Sequence, residues 1–207
     1  MVKKIILTTA YLASIQYYSK LLHYNEIFIE IQENYIKQSY RNRCKIYGAN
    51  GELALTIPIK KENPKTLTKD IVIDYDTNWR KLHWKSIESA YRSSPFFEFY
   101  EDDFRPFYEK KFKYLVDFNI KIQNILLEHL EINTKIAFTE DYIHAYGDEV
   151  DDFREKIHPK RMHDDSRFEP LEYVQVFQEK YGFIPNLSII DLLFNEGPNA
   201  INILKNV

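Results

Sequence analysis

The stretch IILTTAYLASIQYYSKLLHYNEIFIEI, residues 5–31, decides the fold. Ile5–Thr9 is a short apolar run that reads as a fully buried first strand, followed by a turn at Ala10–Ser14. Ile15–Tyr24 then has the spacing of an amphipathic helix whose inner stripe is Tyr17, Tyr18, Leu21 and Leu22. Glu26–Ile31 returns to β-branched and aromatic residues and reads as a second strand. Strand, helix and strand in immediate succession predict a crossover with parallel strands, hence an α/β fold. Ligands of such sheets settle outside the carboxyl ends of the strands. Thr8, Thr9, Tyr11 and the segment after the second strand are therefore expected near one another.

That following segment, Tyr35-Ile36-Lys37-Gln38-Ser39-Tyr40-Arg41-Asn42-Arg43, carries three cations, two amides and two tyrosines. As a strand it would place Tyr35, Lys37, Ser39, Arg41 and Arg43 on one face and Ile36, Gln38, Tyr40 and Asn42 on the other. The first face is a cationic strip suited to a phosphorylated or carboxylated small molecule, because guanidinium forks match such oxygens. Charge pairing of the arginines with Glu33 or Glu52 is the alternative.

Farther along, Arg43–Tyr47 and Leu53–Ile59 flank Gly48-Ala49-Asn50-Gly51, a hairpin pattern, with Pro58 placing the second arm at an edge or at its end. Lys60–Lys69 reads as a polar connection and Ile71–Tyr75 as a strand. From Asn78 the period is helical: Trp79, His83, Trp84, Ile87, Ala90 and Tyr91 share one arc. This helix stops near Ser93-Ser94-Pro95. A longer one is expected from about Arg105-Pro106, capped by Asp102 or Asp103, to about Leu130. Lys135–Thr139 reads as a short strand, and Glu140–Ser166 as a long irregular loop. Tyr173–Lys180 and Ser188–Phe194 read as short helices, the second with Ser188 and Asp191 spaced as a near capping box. The expectation is one domain over residues 1–207, α/β with a mixed sheet: the strand-helix-strand unit, a β-hairpin, two central helices and a short helical C-terminus.

Composition narrows the function. A formal net charge of −3 gives no support to nucleic acid as a partner. The single cysteine, Cys44, excludes an internal disulfide framework and reads as a buried structural thiol suited to a reducing compartment. The apolar start breaks at Thr8-Thr9, short of a signal-peptide core, and no run reaches the ~20 residues of a membrane span, so a cytoplasmic protein is expected. His158, His163, Asp164 and Asp165 match no zinc spacing, and no metal or other cofactor is identified. Neither a glycine-rich phosphate loop nor a Gly-x-Ser-x-Gly elbow is present. With 16 Tyr and 14 Phe the chain has ample aromatic surface for a polar pocket.

His83 is the candidate acid–base group, since burial on an aromatic stripe would lower its pKa toward a neutral base. The competing reading is a structural histidine packed beneath Trp79 and Trp84. Candidate substrate-binding residues are Tyr11, Tyr17, Lys37, Gln38, Arg41, Asn42, Arg43, Trp79, Trp84 and Tyr91.

Several blocks together carry a resemblance: Ala10-Tyr11-Leu12, Gln16-Tyr17-Tyr18, the Tyr35–Arg43 segment, Trp79-Arg80-Lys81-Leu82-His83-Trp84, Ser94-Pro95-Phe96-Phe97-Glu98, Tyr108-Glu109-Lys110-Lys111 and Phe183-Ile184-Pro185-Asn186-Leu187-Ser188. In this order the chain resembles the WbqC-like protein family, in the form found in Bacteroidetes bacteria. It departs at Ala13-Ser14, where the family usually carries proline. The resemblance implies a setting among O-antigen and other surface-polysaccharide genes, where a glycine-transferase role has been suggested for some members. It supplies no catalytic residues.

The expectation is thus a transferase of surface-polysaccharide biosynthesis, moving an acyl or glycyl group to a sugar. Lys37, Arg41 and Arg43 would hold a phosphate-bearing or activated-sugar ligand, and His83 would act as base. The alternatives are a noncatalytic carbohydrate- or partner-binding module and a nucleotidyl-transfer enzyme. Oligomeric state is left open.

Overall fold

The structure, a computed structural model, describes residues 4–160 and 165–207. The opening crossover forms as expected: β1 (Lys4–Thr8), α1 (Ile15–His23) and β2 (Glu26–Glu30), with β1 and β2 parallel in the register Ile5↔Ile27 and Leu7↔Ile29. Two later strands complete the sheet. β5 (Ile136–Phe138) runs parallel outside β2, and β6 (Val150–Asp152) runs parallel on the far side of β1, giving the order β5-β2-β1-β6. Ile5, Ile6 and Leu7 are fully buried at its centre. The hairpin is a separate antiparallel pair, β3 (Arg43–Gly48) and β4 (Gly51–Thr56), turning at Ala49-Asn50. Gly51 there takes a φ of 98°, open to glycine and strained for other residues. β4 ends before Pro58, which removes no ladder hydrogen bond.

Three helices rather than two follow. α2 (Trp79–Tyr91) buries Trp79, His83, Trp84, Ile87, Ala90 and Tyr91, the arc read from the sequence. The helix expected from Arg105-Pro106 is in fact two, α3 (Phe97–Glu109) and α4 (Leu115–His129). Phe97, Tyr100, Phe104, Phe107 and Tyr108 recur at helical spacing and are buried, so the apolar stripe starts α3 well before the aspartates expected to cap it. Pro106 falls inside α3, within a turn of its end, where its missing N–H leaves the Asp102 carbonyl without its helical donor. At Ile71–Tyr75 no strand forms: Ile73 and Val72 make only isolated bridges, to Ile59 and Tyr114. The backbone here instead serves the start of α4, the Leu115 N–H donating to the Ile71 carbonyl.

At the C-terminus, α5 (Gln178–Tyr181) is shorter than expected, α6 (Ile189–Glu196) matches, and α7 (Ala200–Leu204) follows Gly197. Gly197 has a φ of 53°, and a Cβ there would lie 2.5 Å from the Phe96 ring. The capping box does not form. Ser188 Oγ donates instead to the Leu12 carbonyl at 2.7 Å, and the Asp191 carboxylate is buried among side chains. Residues 13–15 and 187–189 are further tied by Ile15 N–H to Leu187 O and Ile189 N–H to Ala13 O. Phe194 on α6 locks the helices together, its ring 5.3–5.5 Å from those of Tyr91, Phe97 and Phe104. Truncating such a ring to alanine costs about 3–5 kcal/mol. Among the described residues no helix is long and apolar enough to cross a membrane.

Candidate functional site

The strand order sets where a ligand fits. The chain passes from β1 to β2 on one side, and β6 joins β1 on the other, so the sheet reverses its direction of growth at β1. A crevice opens there, outside the carboxyl ends of the parallel strands, as open α/β sheets dictate. It is a cavity of about 1020 Å³, walled by Glu33 and its neighbours after β2, by Asp151 and Asp152 of β6, and by Tyr142, His144 and Tyr146 from the loop before β6.

Arg154 holds that loop over the strand ends. Its Nε and Nη2 donate to Asp152, Nη1 to Glu30 Oε2 at 3.4 Å and to the Ile143 carbonyl at 2.8 Å, and Nη2 also to the His144 carbonyl at 3.2 Å. The rings of Tyr142 and Tyr146 each lie 5.1 Å from the guanidinium. With all its N–H groups engaged, Arg154 is a fastening rather than a ligand. The loop expected as irregular over 140–166 thus contains β6, and its described part around residues 143–154 is pinned to the sheet. Glu30, fully buried, completes the support, its Oε1 accepting from the Gln32 N–H and Thr139 Oγ1, both at 2.7 Å.

Glu33 is the buried carboxylate of the wall. It is 5% exposed, and Arg41 Nε donates to its Oε1 at 2.7 Å. Arg41 Nη2 lies equally near the same oxygen but off the hydrogen-bond direction, so the contact is an ion pair and not a second bond. Oε2 makes no hydrogen bond among the described residues. Burial lifts the Glu33 carboxyl above its ordinary range, with the Arg41 guanidinium working against that rise.

The Tyr35–Arg43 segment is not a strand before Arg43. It is an irregular loop with Gln38 at a φ of 60°, and four consecutive residues, Ser39 to Asn42, are buried, which ends the two-face alternation. Arg41 turns inward to Glu33, Arg43 Nε donates to Thr56 Oγ1 at 3.0 Å, and Lys37 is exposed, so no common cationic face results. Asn42 Nδ2 donates to the Ile57 carbonyl, and Gln38 accepts from Lys160 Nζ. The segment does lie beside the end of β1. Tyr11 N–H donates to Tyr40 O, and Asn119 of α4 joins Thr9 Oγ1 to the Arg41 carbonyl.

The other sequence candidates gather elsewhere. Tyr11 Oη lies 3.0 Å from His83 Nδ1 and 2.8 Å from Tyr108 Oη, with the Trp79 ring edge-on to the imidazole at 5.0 Å. Burial depresses the His83 pKa to about 4, a backbone hydrogen bond at Thr56 opposing it. His83 lines a separate cavity of about 500 Å³ between β4 and α2, in whose wall neither Arg41 nor Arg43 takes part. Trp84 packs tilted against the same aromatic cluster, 5.6 Å from Tyr108. Tyr17 donates to the Thr8 carbonyl, and Tyr91 to Asp191 Oδ1 at 2.8 Å. Asp191, fully buried, also accepts from Tyr173 at 2.6 Å and Gln175 at 2.9 Å. Cys44 is buried and its thiol pushed upward by desolvation. His163 and Asp164 lie outside the described residues.

Glu33, Asp152, Arg154 and the two loop tyrosines escape a linear reading because topology alone brings them together. The available signal was a pair of acids at and just after the end of a predicted parallel strand.

Among known proteins, the chain is 26% identical to the uncharacterized protein Rv1507c of Mycobacterium tuberculosis (strain ATCC 25618 / H37Rv), covering 99% of this chain and 98% of that one. No solved structure matches it. The family model of the WbqC-like protein family matches residues 9–164 and 151–203. The chain belongs to the WbqC-like protein family.

Proposed function

We propose that the protein is a transferase of bacterial surface-polysaccharide assembly that moves an acyl or glycyl group onto a sugar held in the crevice at the strand ends. The observation that carries this reading is Glu33, a buried carboxylate with one oxygen held by Arg41 and the other without a hydrogen bond, in the wall of the crevice. Around it the wall offers what a sugar needs. Asp148 and the Oδ1 of Asp151 accept from hydroxyls, and Tyr142 and Tyr146 present rings to the C–H face of a pyranose.

In the step, the sugar amine or hydroxyl attacks the acyl carbon and forms the new bond. The donor's leaving group departs with its electron pair, and Glu33 Oε2 takes the proton of the attacking group. A carboxyl raised by desolvation is a better proton acceptor than an exposed one. Arg41 keeps its orientation. His83, in its own cavity, is given the structural part.

A thermal-shift panel of nucleotide sugars, coenzyme A esters and ATP against simple glycans identifies ligands. Mass spectrometry of the stabilising sugar after incubation with an activated donor then tests transfer. A gain of one acyl or glycyl group that disappears with Glu33→Gln supports the reading. Stabilisation by glycans with no mass gain under any donor replaces it with a noncatalytic binding module.

A further inference from the structure

A second cavity, of about 490 Å³, lies beside the amino end of α1, between the 156–160 segment and the Pro185-Asn186 turn. Lys45, Lys156 and Lys160 line it, with Glu52 and Asp165 as its acids. The acids are already answered. Asp165 pairs with the buried Lys20 at 2.6 Å and accepts from Gln16 Nε2 at 2.9 Å, while Glu52 pairs with Lys45 at 3.0 Å across the hairpin. Lys156 and Lys160 form no close ion pair among the described residues, although Lys156 does act on Asp151 through space. Lys160 Nζ donates to the neutral Gln38 amide, and Lys156 Nζ stands 4.7 Å over the Phe153 ring.

Two further features point to a ligand. Tyr40 is 8% exposed and lines this cavity, and its hydroxyl makes no hydrogen bond among the described residues, so it is left accessible to whatever fills the cavity. The Asn186 side chain is held by Gln16, its Oδ1 accepting from the Gln16 backbone N–H at 2.9 Å and its Nδ2 donating to Gln16 Oε1 at 3.2 Å, so this wall is fixed in advance. Among the described residues, a surplus of two cations, a hydroxyl donor and a rigid amide wall suit the oxygens of a phosphate chain.

We propose that this cavity binds the phosphate or diphosphate group of the transferase's activated donor, with Lys156 and Lys160 as its cations and the Tyr40 hydroxyl as a donor to it. Lys156 also lines the strand-end crevice, so a donor phosphate here lies one side chain away from the sugar proposed there. The donor's role rests on the transferase reading, whereas the anion site stands or falls by itself.

Inorganic pyrophosphate is the direct probe, titrated calorimetrically into the full chain. The expected result is saturable binding that weakens about tenfold or more in Lys156→Ala/Lys160→Ala, and severalfold in Tyr40→Phe, with circular dichroism unchanged. Both lysines are exposed, so the double variant tests the charge without disturbing the core. No binding at millimolar pyrophosphate, or equal binding in the double variant, overturns the site. Competition by uridine diphosphate against acetyl phosphate then separates a nucleotide donor from an acyl phosphate, and competition by neither overturns the donor role. Tyr146→Ala, in the crevice, is expected to leave pyrophosphate binding unchanged, and a loss there overturns the two-site arrangement. Sugar binding lost with pyrophosphate binding intact counts against the crevice and not against this cavity.

Discussion

Arg41 approaches Glu33 from one side: its Nε and Nη2 both lie 2.7 Å from Oε1, and Oε2 is left over. A parallel fork would have occupied both carboxylate oxygens. The asymmetric contact fixes the carboxylate while sparing one basic oxygen, which is the arrangement a proton acceptor needs.

Glu33→Gln should therefore lower transfer by about 100-fold or more. Because burial raises the Glu33 pKa, the base ionises only above the ordinary carboxylate range, and kcat/KM should rise with pH through that elevated value. A flat profile across the acidic range would remove Glu33 from the chemistry.

Stability offers a second test of the same pair. Either single change that leaves a buried charge unpaired, Glu33→Leu or Arg41→Met, should cost about 3–5 kcal/mol in denaturant unfolding. The double variant should recover most of that loss, since removing both charges also removes their desolvation cost. Additive losses would mean that the two side chains do not depend on each other.

His83 makes a prediction in pH. Its folded-state pKa of about 4 lies below the ordinary 6.5, so the unfolded chain binds the proton more readily. Stability is complete above pH 6.5 and falls as pH drops toward 4, by about 3 kcal/mol in all. His83→Gln should flatten this part of the curve while transfer persists. A folded Gln variant with activity down ~100-fold would return the base role to His83.

Asp191 ties α2, α6 and the Tyr173–Gln175 segment through three donors. Asp191→Ala takes the acceptor from the Tyr91 and Tyr173 hydroxyls in the core, while Gln175 Nε2 keeps the Ile184 carbonyl, and should cost about 3 kcal/mol. For a chain of this size that is a fall of roughly 6–12 °C in Tm. Asp191→Asn keeps an acceptor and should lose less; equal losses would show that the charge itself matters.

Releasing the loop over the crevice should show in proteolysis. Arg154→Ala removes the bonds to Asp152, Ile143 and His144, so chymotrypsin should nick at Tyr142 and Tyr146 sooner than in the parent. Unchanged cleavage would mean that the loop is held by other contacts.

The sequence was readable where apolar residues repeat over a long element. The α2 arc from Trp79 to Tyr91, the β1–β2 crossover and the hairpin follow their patterns closely. It was opaque where tertiary contacts decide. Val150-Asp151-Asp152 has no strand composition and becomes one only because β1 offers a free edge. Tyr35–Asn42 has strand composition, yet Gln38 turns left-handed and Arg41 is drawn inward by Glu33. For the same reason Arg41 was legible as an anion ligand while Glu33 was visible only as its possible counter-ion. Nothing in the linear order announces that Tyr142, Tyr146 and Arg154 close over the ends of strands formed far earlier.

The clasp between residues 13–15 and 187–189 has a consequence for synthesis. The turn that leads from β1 into α1 is tied by hydrogen bonds to a segment 176 residues farther along the chain. A nascent chain can pair β1 with β2 early, but the turn that leads into α1 is settled only after Leu187 has left the ribosome. The turn should thus become ordered only once this segment has emerged, and chains halted before Leu187 should be cleaved by proteases more readily than longer ones.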